Sequence, residues 1–108
     1  MFARKVSMHL RVNGAAEFKQ KVENEVIPLL RKQAGFLDEI TFLYPNGKEV
    51  HAFSLWETAE HAEVYNRETY PQVTKILASA VEGTARVQTY EVLNSTIHKA
   101  LAAASAQV

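Results

Sequence analysis

The stretch Phe36-Leu37-Asp38-Glu39-Ile40-Thr41-Phe42-Leu43-Tyr44-Pro45-Asn46-Gly47-Lys48-Glu49-Val50-His51-Ala52-Phe53-Ser54-Leu55-Trp56 decides how this chain folds. Pro45-Asn46-Gly47-Lys48 is a turn, because Asn-Gly tolerates the positive dihedrals of a tight hairpin. The flanks, Phe36 to Tyr44 and Glu49 to Trp56, therefore pair as antiparallel strands. Their apolar residues fall on both parities. Phe36, Ile40 and Phe42 oppose Leu37 and Leu43, while Phe53 and Leu55 oppose Val50, Ala52 and Trp56. A sheet wet on one face alternates cleanly. This hairpin does not, so both faces are expected to be covered, one by helices and the other by a second copy of the sheet.

The chain on either side completes the pattern. Phe2 to Val12 alternates Val6, Met8, Leu10 and Val12 against Lys5, Ser7, His9 and Arg11, which is a strand that Asn13-Gly14 breaks. Ala15 to Gln33 repeats Phe18, Val22, Val26 (or Ile27) and Leu30 at helical spacing. Pro28 lacks an N–H and should kink that helix, and Gly35 should end it. Beyond the hairpin, Thr58 is an N-cap for a helix to about Glu68. Pro71 interrupts, a further helix near Gln72 to Val81 ends at Glu82-Gly83-Thr84, and Ala85 to Leu93 is the last strand. The order is β-α-β-β-α-β, the ferredoxin-like arrangement. The predicted fold class is α+β, a four-stranded antiparallel sheet with helices on one face. Residues 1–96 read as one domain. The alanine-rich tail 97–108 is expected to dock on a partner as a short helix, or to fray.

Composition narrows the function. With 108 residues, and 12 basic against 12 acidic side chains, the formal net charge is zero. No basic field is present to gather nucleic acid or anionic membrane, and one barrier to self-association is removed. No apolar run approaches the roughly 20 residues of a membrane span. The absence of cysteine excludes disulfides, thiolate nucleophiles and Cys-ligated metals, and it fits the cytoplasm.

No HExxH, GxSxG, Walker loop or GxGxxG occurs. Asp38 and Glu39, as strand neighbours, point to opposite faces and form no dyad. His9 and His51 lie on strands and are expected to meet in one cavity. There they serve as a base, or hold a metal with a carboxylate, or are ordinary surface or half-buried histidines. The densest cluster runs from Trp56 to Pro71 and gathers Trp56, Tyr65, Asn66, Arg67 and Tyr70. Aromatic walls with few polar groups suit an aromatic ligand. The alternative is that Trp56 and Tyr65 are core and that Arg67 pairs with a glutamate.

The element order, the Gln33-Ala34-Gly35-Phe36-Leu37 approach to the second strand and the Trp56-Glu57-Thr58 exit from the third resemble the antibiotic biosynthesis monooxygenase-like family over roughly residues 2 to 93. The resemblance implies a dimeric α+β barrel paired through its sheet faces. It also implies a cofactor-independent monooxygenase acting on a small aromatic or quinol-type molecule that, once deprotonated, supplies electrons to O₂ itself. On that reading Trp56 and Tyr65 wall the pocket, with Tyr70 and Tyr90 also binding substrate. His9 or His51 is the base, and Asn66 or Arg67 steadies negative charge. No cofactor, metal, nucleic acid or membrane is implied. Tyr65 and Tyr70 stand where many members carry helix histidines. Ser7, Tyr65 and Lys75 stand where the haem-degrading branch has Asn, Trp and His, which points away from haem. A non-catalytic dimeric small-molecule-binding or stress-related protein is the other reading the sequence supports.

Overall fold

The computed structural model describes residues 1–98, so the alanine-rich part of the tail, 99–108, lies outside the described residues. Strand β1 (Phe2–Leu10) is followed by a helix in three parts: α1 (Ala15–Lys21), a π turn (Val22–Val26) and α2 (Ile27–Arg31). Then come β2 (Phe36–Leu43), β3 (Glu49–Trp56), α3 (Ala59–Glu68), α4 (Tyr70–Leu77) and β4 (Val81–Glu91). All pairings are antiparallel, in the order β2-β3-β1-β4. The split β-α-β reading of the sequence is the architecture observed. No helix among the described residues is long and apolar enough to cross a membrane.

Cross-strand partners share a face. Val6 pairs with Ala52 and Met8 with Val50, and this row faces the helices. The core is built there from Val6, Met8, Leu10, Val50 and Trp56 of the sheet. Phe18, Val22, Val26, Leu30, Val73 and Leu77 of the helices close over them. On the other face Lys5 pairs with Phe53, Ser7 with His51, and His51 and Phe53 in turn with Phe42 and Ile40. Ile40 and Phe42 are 55% and 53% exposed. The helices are tied together by Lys21, whose ammonium donates to the Ile76 carbonyl at 2.9 Å and the Ser79 hydroxyl at 2.7 Å.

Two local expectations are corrected, and a third takes a specific form. At the kink expected near Pro28 the helix continues through a π turn, where the Ile27 N–H reaches back to the Val22 carbonyl. A widened turn just ahead of the proline absorbs its missing donor and its ring. The last helix begins at Tyr70 rather than after Pro71, because proline suits the first turn of a helix, where its N–H has no partner to lose. Finally, Glu82-Gly83-Thr84 belongs to β4, which ends at Glu91. Gly83, at φ 69°, forms a bulge between the Ser7–Arg86 and His9–Glu82 pairs.

A second bulge shapes the hairpin. Phe36 pairs with Trp56, but Asp38 pairs with Leu55, so Leu37 is the extra residue. The phase of β2 flips there. Phe36 faces the helices before the bulge, and Glu39, Thr41 and Leu43 face them after it.

Candidate functional site

Between the sheet and the helices lies a cavity of about 480 Å³. Most of its wall is apolar: Val6 and Met8 below, Phe18, Val22 and Val26 on the long helix, Val73 and Leu77 on α4. One end is polar. Arg4 of β1 stands on the same parity as Val6 and Met8, so its guanidinium is driven inward and the residue is 2% exposed. Its Nη2 donates to Asn66 Oδ1 at 2.7 Å, and its guanidinium carbon lies 4.1 Å from the Tyr70 ring centroid and 5.2 Å from that of Tyr65. Buried Nε–H has no partner, and no aspartate or glutamate lies within ion-pair distance of Arg4 among the described residues.

Burial pulls the Arg4 pKa below its usual value, while the two tyrosines oppose that shift. An arginine remains a cation at neutral pH even so. Cation–π contact is a partial substitute for a counter-ion. Burial pushes the Tyr65 phenol up to about 12, against the pull of Arg4 and with added repulsion from Tyr70 and Glu39. Tyr65 is thus a neutral hydroxyl. Glu39 also lines the cavity, and burial raises its pKa above the usual carboxylate range, against a hydrogen bond from the Thr41 hydroxyl.

The aromatic floor behind the tyrosines is set by Trp56, which is fully buried. Its indole N–H donates to Ser54 Oγ at 2.9 Å, and its ring lies 4.9 Å from that of Tyr65 and 5.6 Å from that of Phe36. Entry into α3 is equally constrained. Thr58 caps the helix by accepting from the His61 N–H. Gly35 lets His61 pack against it, since a Cβ there would sit 2.3 Å from the imidazole. That packing fixes the start of the helix that carries Tyr65 and Asn66.

Known proteins supply the comparison. No family model matches the sequence, and no curated protein matches it. Solved structures do. The monooxygenase ActVA-Orf6 of Streptomyces coelicolor, in complex with nanaomycin D, superposes with a TM-score of 0.74 at 15% identity, over 87% of this chain and 88% of that one. SnoaB, a cofactor-independent oxygenase of Streptomyces nogalater, gives 0.71 at 10% identity over 88% and 95%. A protein of unknown function from Nitrosomonas europaea gives 0.72 at 12% identity over 88% and 91%. The chain shares the fold of these three structures.

Within that fold, the residues singled out from sequence fall into separate places. Tyr65 and Tyr70 line the cavity. Asn66 touches it through Arg4, and Trp56 supports Tyr65 from behind without lining it. His9 and His51 share the opposite face of the sheet, so they do not meet Trp56 and Tyr65 in one cavity. His9 is exposed, while His51 lies 3.5 Å from Glu49 and edge-on to Tyr44. Among the described residues no group of three His, Cys, Asp or Glu side chains is placed to hold a metal. Arg67 is exposed on α3, and Tyr90, paired with Ala3, is on the outer face. Sequence reasoning passed over Arg4, Ser54 and Glu39. For Arg4 a signal was present, a lone charge in the apolar phase of β1. For Glu39 the bulge at Leu37 concealed the phase.

Proposed function

We propose that this chain is a cofactor-independent monooxygenase acting on a small aromatic or quinol-type molecule held in the Arg4 cavity. The observation that carries the reading is a buried arginine without an ion-pair partner in the wall of a mostly apolar cavity. Leaving a charge buried without a counter-charge costs several kcal/mol, which a bound anion would offset. An aromatic body fits the apolar wall. A deprotonated oxygen fits Arg4, positioned by Asn66 and by the faces of Tyr65 and Tyr70. Such an oxyanion is electron-rich enough to reduce O₂ itself, with one oxygen atom entering the product and the other leaving as water. The protein's part is to bind the ring, stabilise the anion with fixed donors and keep bulk water from it. The likeness to SnoaB and ActVA-Orf6 supports this reading through the fold.

In the same reading a second copy of the chain covers the exposed sheet face around Ile40, Phe42, Phe53 and Leu55. The polar end of the cavity, rather than His9 and His51, carries the chemistry.

Oxygen uptake with a panel of hydroquinones and anthrones tests the proposal. Uptake above background that falls at least about tenfold in Arg4→Met supports it, since one well-placed charge-stabilising group is worth about that or more. The lining holds no histidine, and that favours a second reading in which the chain binds such molecules without oxidising them. Background uptake, together with a raised melting temperature on ligand addition, would establish that reading instead.

A further inference from the structure

Glu39, Ser54 and Arg4 form one row across three strands: Ser54 pairs with Arg4 of β1 on one side and with Glu39 of β2 on the other. All three line the cavity. Neighbouring strands are about 4.8 Å apart, so the backbones of Glu39 and Arg4 stand roughly 10 Å from each other with the small serine between. A carboxylate and a guanidinium thus face the same space from either side of a side chain too short to fill it. Neither is quenched. Glu39 forms no ion pair with a lysine or arginine among the described residues, and the hydrogen bond it receives comes from the neutral Thr41 hydroxyl.

We propose that Glu39 is the catalytic residue that takes the proton from the ligand, whose acidic group sits over Ser54 while its conjugate oxyanion is held by Arg4. The step moves one proton and no electrons. The ligand's O–H or activated C–H bond breaks, its electron pair stays with the ligand as an oxyanion or enolate, and the proton ends on Glu39. The inference rests on the Arg4 cavity being the aromatic site proposed above, but it requires no oxygen. The half-buried setting that raises the Glu39 pKa makes it a stronger base than an exposed glutamate once ionised. The other charged or titratable groups lining the cavity are Arg4 and Arg11 from β1 and its following turn, Tyr65 from α3 and Tyr70 from α4. The long helix presents only Phe18, Val22, Val26 and Leu30.

Proton abstraction can be read apart from oxygenation by following the exchange of the acidic ring hydrogens of anthrone with D₂O, anaerobically, by NMR. Wild-type protein should accelerate the exchange, with a rate that rises with pH as Glu39 ionises and then levels. Glu39→Gln should lose about a hundredfold of that rate and its pH limb, while anthrone affinity changes less than about threefold. Glu39→Asp, which keeps a carboxylate, should retain the limb at a reduced rate, and circular dichroism melts show that each variant is folded. Exchange in Glu39→Gln at the wild-type rate, a limb that survives in it, or no exchange by the wild type would each overturn the assignment. Exchange without oxygen uptake would instead remove the oxygenase reading and leave Glu39 as the proton acceptor.

Discussion

At the residue scale, the stability cost of Arg4 and Glu39 is measurable apart from any ligand. Arg4 buries a cation whose compensation is one amide oxygen and two ring faces. Arg4→Met keeps most of the side-chain volume and removes that desolvation cost. Urea unfolding should therefore find it unchanged or about 1–3 kcal/mol more stable than wild type, although it has lost binding of anionic aromatic ligands. A clear loss of stability would mean that the arginine is structural. Glu39 makes the companion case through pH. Burial raises its pKa in the folded chain above the value it regains on unfolding. Its contribution to stability is complete below the ordinary carboxylate range and is lost as pH rises through the folded value. Glu39→Gln should accordingly melt above wild type at neutral pH and level with it near pH ~3. A difference independent of pH would rule out this cause. Arg4 was legible in the sequence, since a strand that places Val6, Met8 and Leu10 inward places Arg4 inward too. Its effect on the tyrosines was not, because Tyr65 and Tyr70 approach it from helices whose docking is a tertiary fact.

At the scale of elements, the hairpin from Phe36 to Trp56 shows what a pattern can and cannot encode. Its strands, its turn and the Thr58 cap are local features, written in Asn-Gly and in the threonine ahead of a helix. The bulge at Leu37 is not written there, because it arises from pairing with β3, and it exchanges the inward parity of β2 part-way along. Phe36 and Glu39 therefore both face the helices although they differ in parity, and a period-two reading cannot assign both. Gly35 sits just upstream, at φ 77° and against His61. Gly35→Ala should destabilise the fold by about 2 kcal/mol or more, from the left-handed backbone alone, with the imidazole clash added. In Gly35→Ala/His61→Ala the clash is gone but the dihedral strain remains, so the double variant should recover part of the loss relative to Gly35→Ala alone. If it recovers none in chemical denaturation, His61 packing contributes nothing to the requirement for glycine. The π turn ahead of Pro28 is legible only as an irregularity, since a missing N–H announces that the helix must adapt and not which adaptation the packing selects.

For the whole molecule, the unanswered face of the sheet is the decisive surface. Helices cover the face that holds the cavity, and the opposite face carries Ile40 and Phe42 on β2 beside Phe53 and Leu55 on β3, with the Phe42 and Phe53 rings 5.9 Å apart edge to face. Lys5, Ser7 and His9 on β1 line the next column, so the apolar surface is concentrated toward the β2 edge and shades into polar residues toward the centre. That layout gives one apolar patch bordered by polar residues on its β1 side, as the apolar part of a protein–protein interface is bordered by polar residues. A sheet-to-sheet dimer should bury at least roughly 1,200 Å² in total to persist at low concentration. It should depend on the residues at the centre of the patch, where a buried lysine has no counter-charge. Sedimentation equilibrium should find the wild type at twice the chain mass. Phe42→Lys should weaken association by about thirtyfold or more, since one hot-spot side chain contributes about 2–4 kcal/mol. Val12→Lys supplies the same added charge at an exposed site outside the strands and should leave the dimer intact. Because the cavity lies on the helix side of the sheet, the Phe42→Lys monomer should still bind aromatic ligands if the site is complete within one chain. Loss of ligand binding in step with loss of the dimer would show instead that the second copy shapes the cavity through the sheet they share.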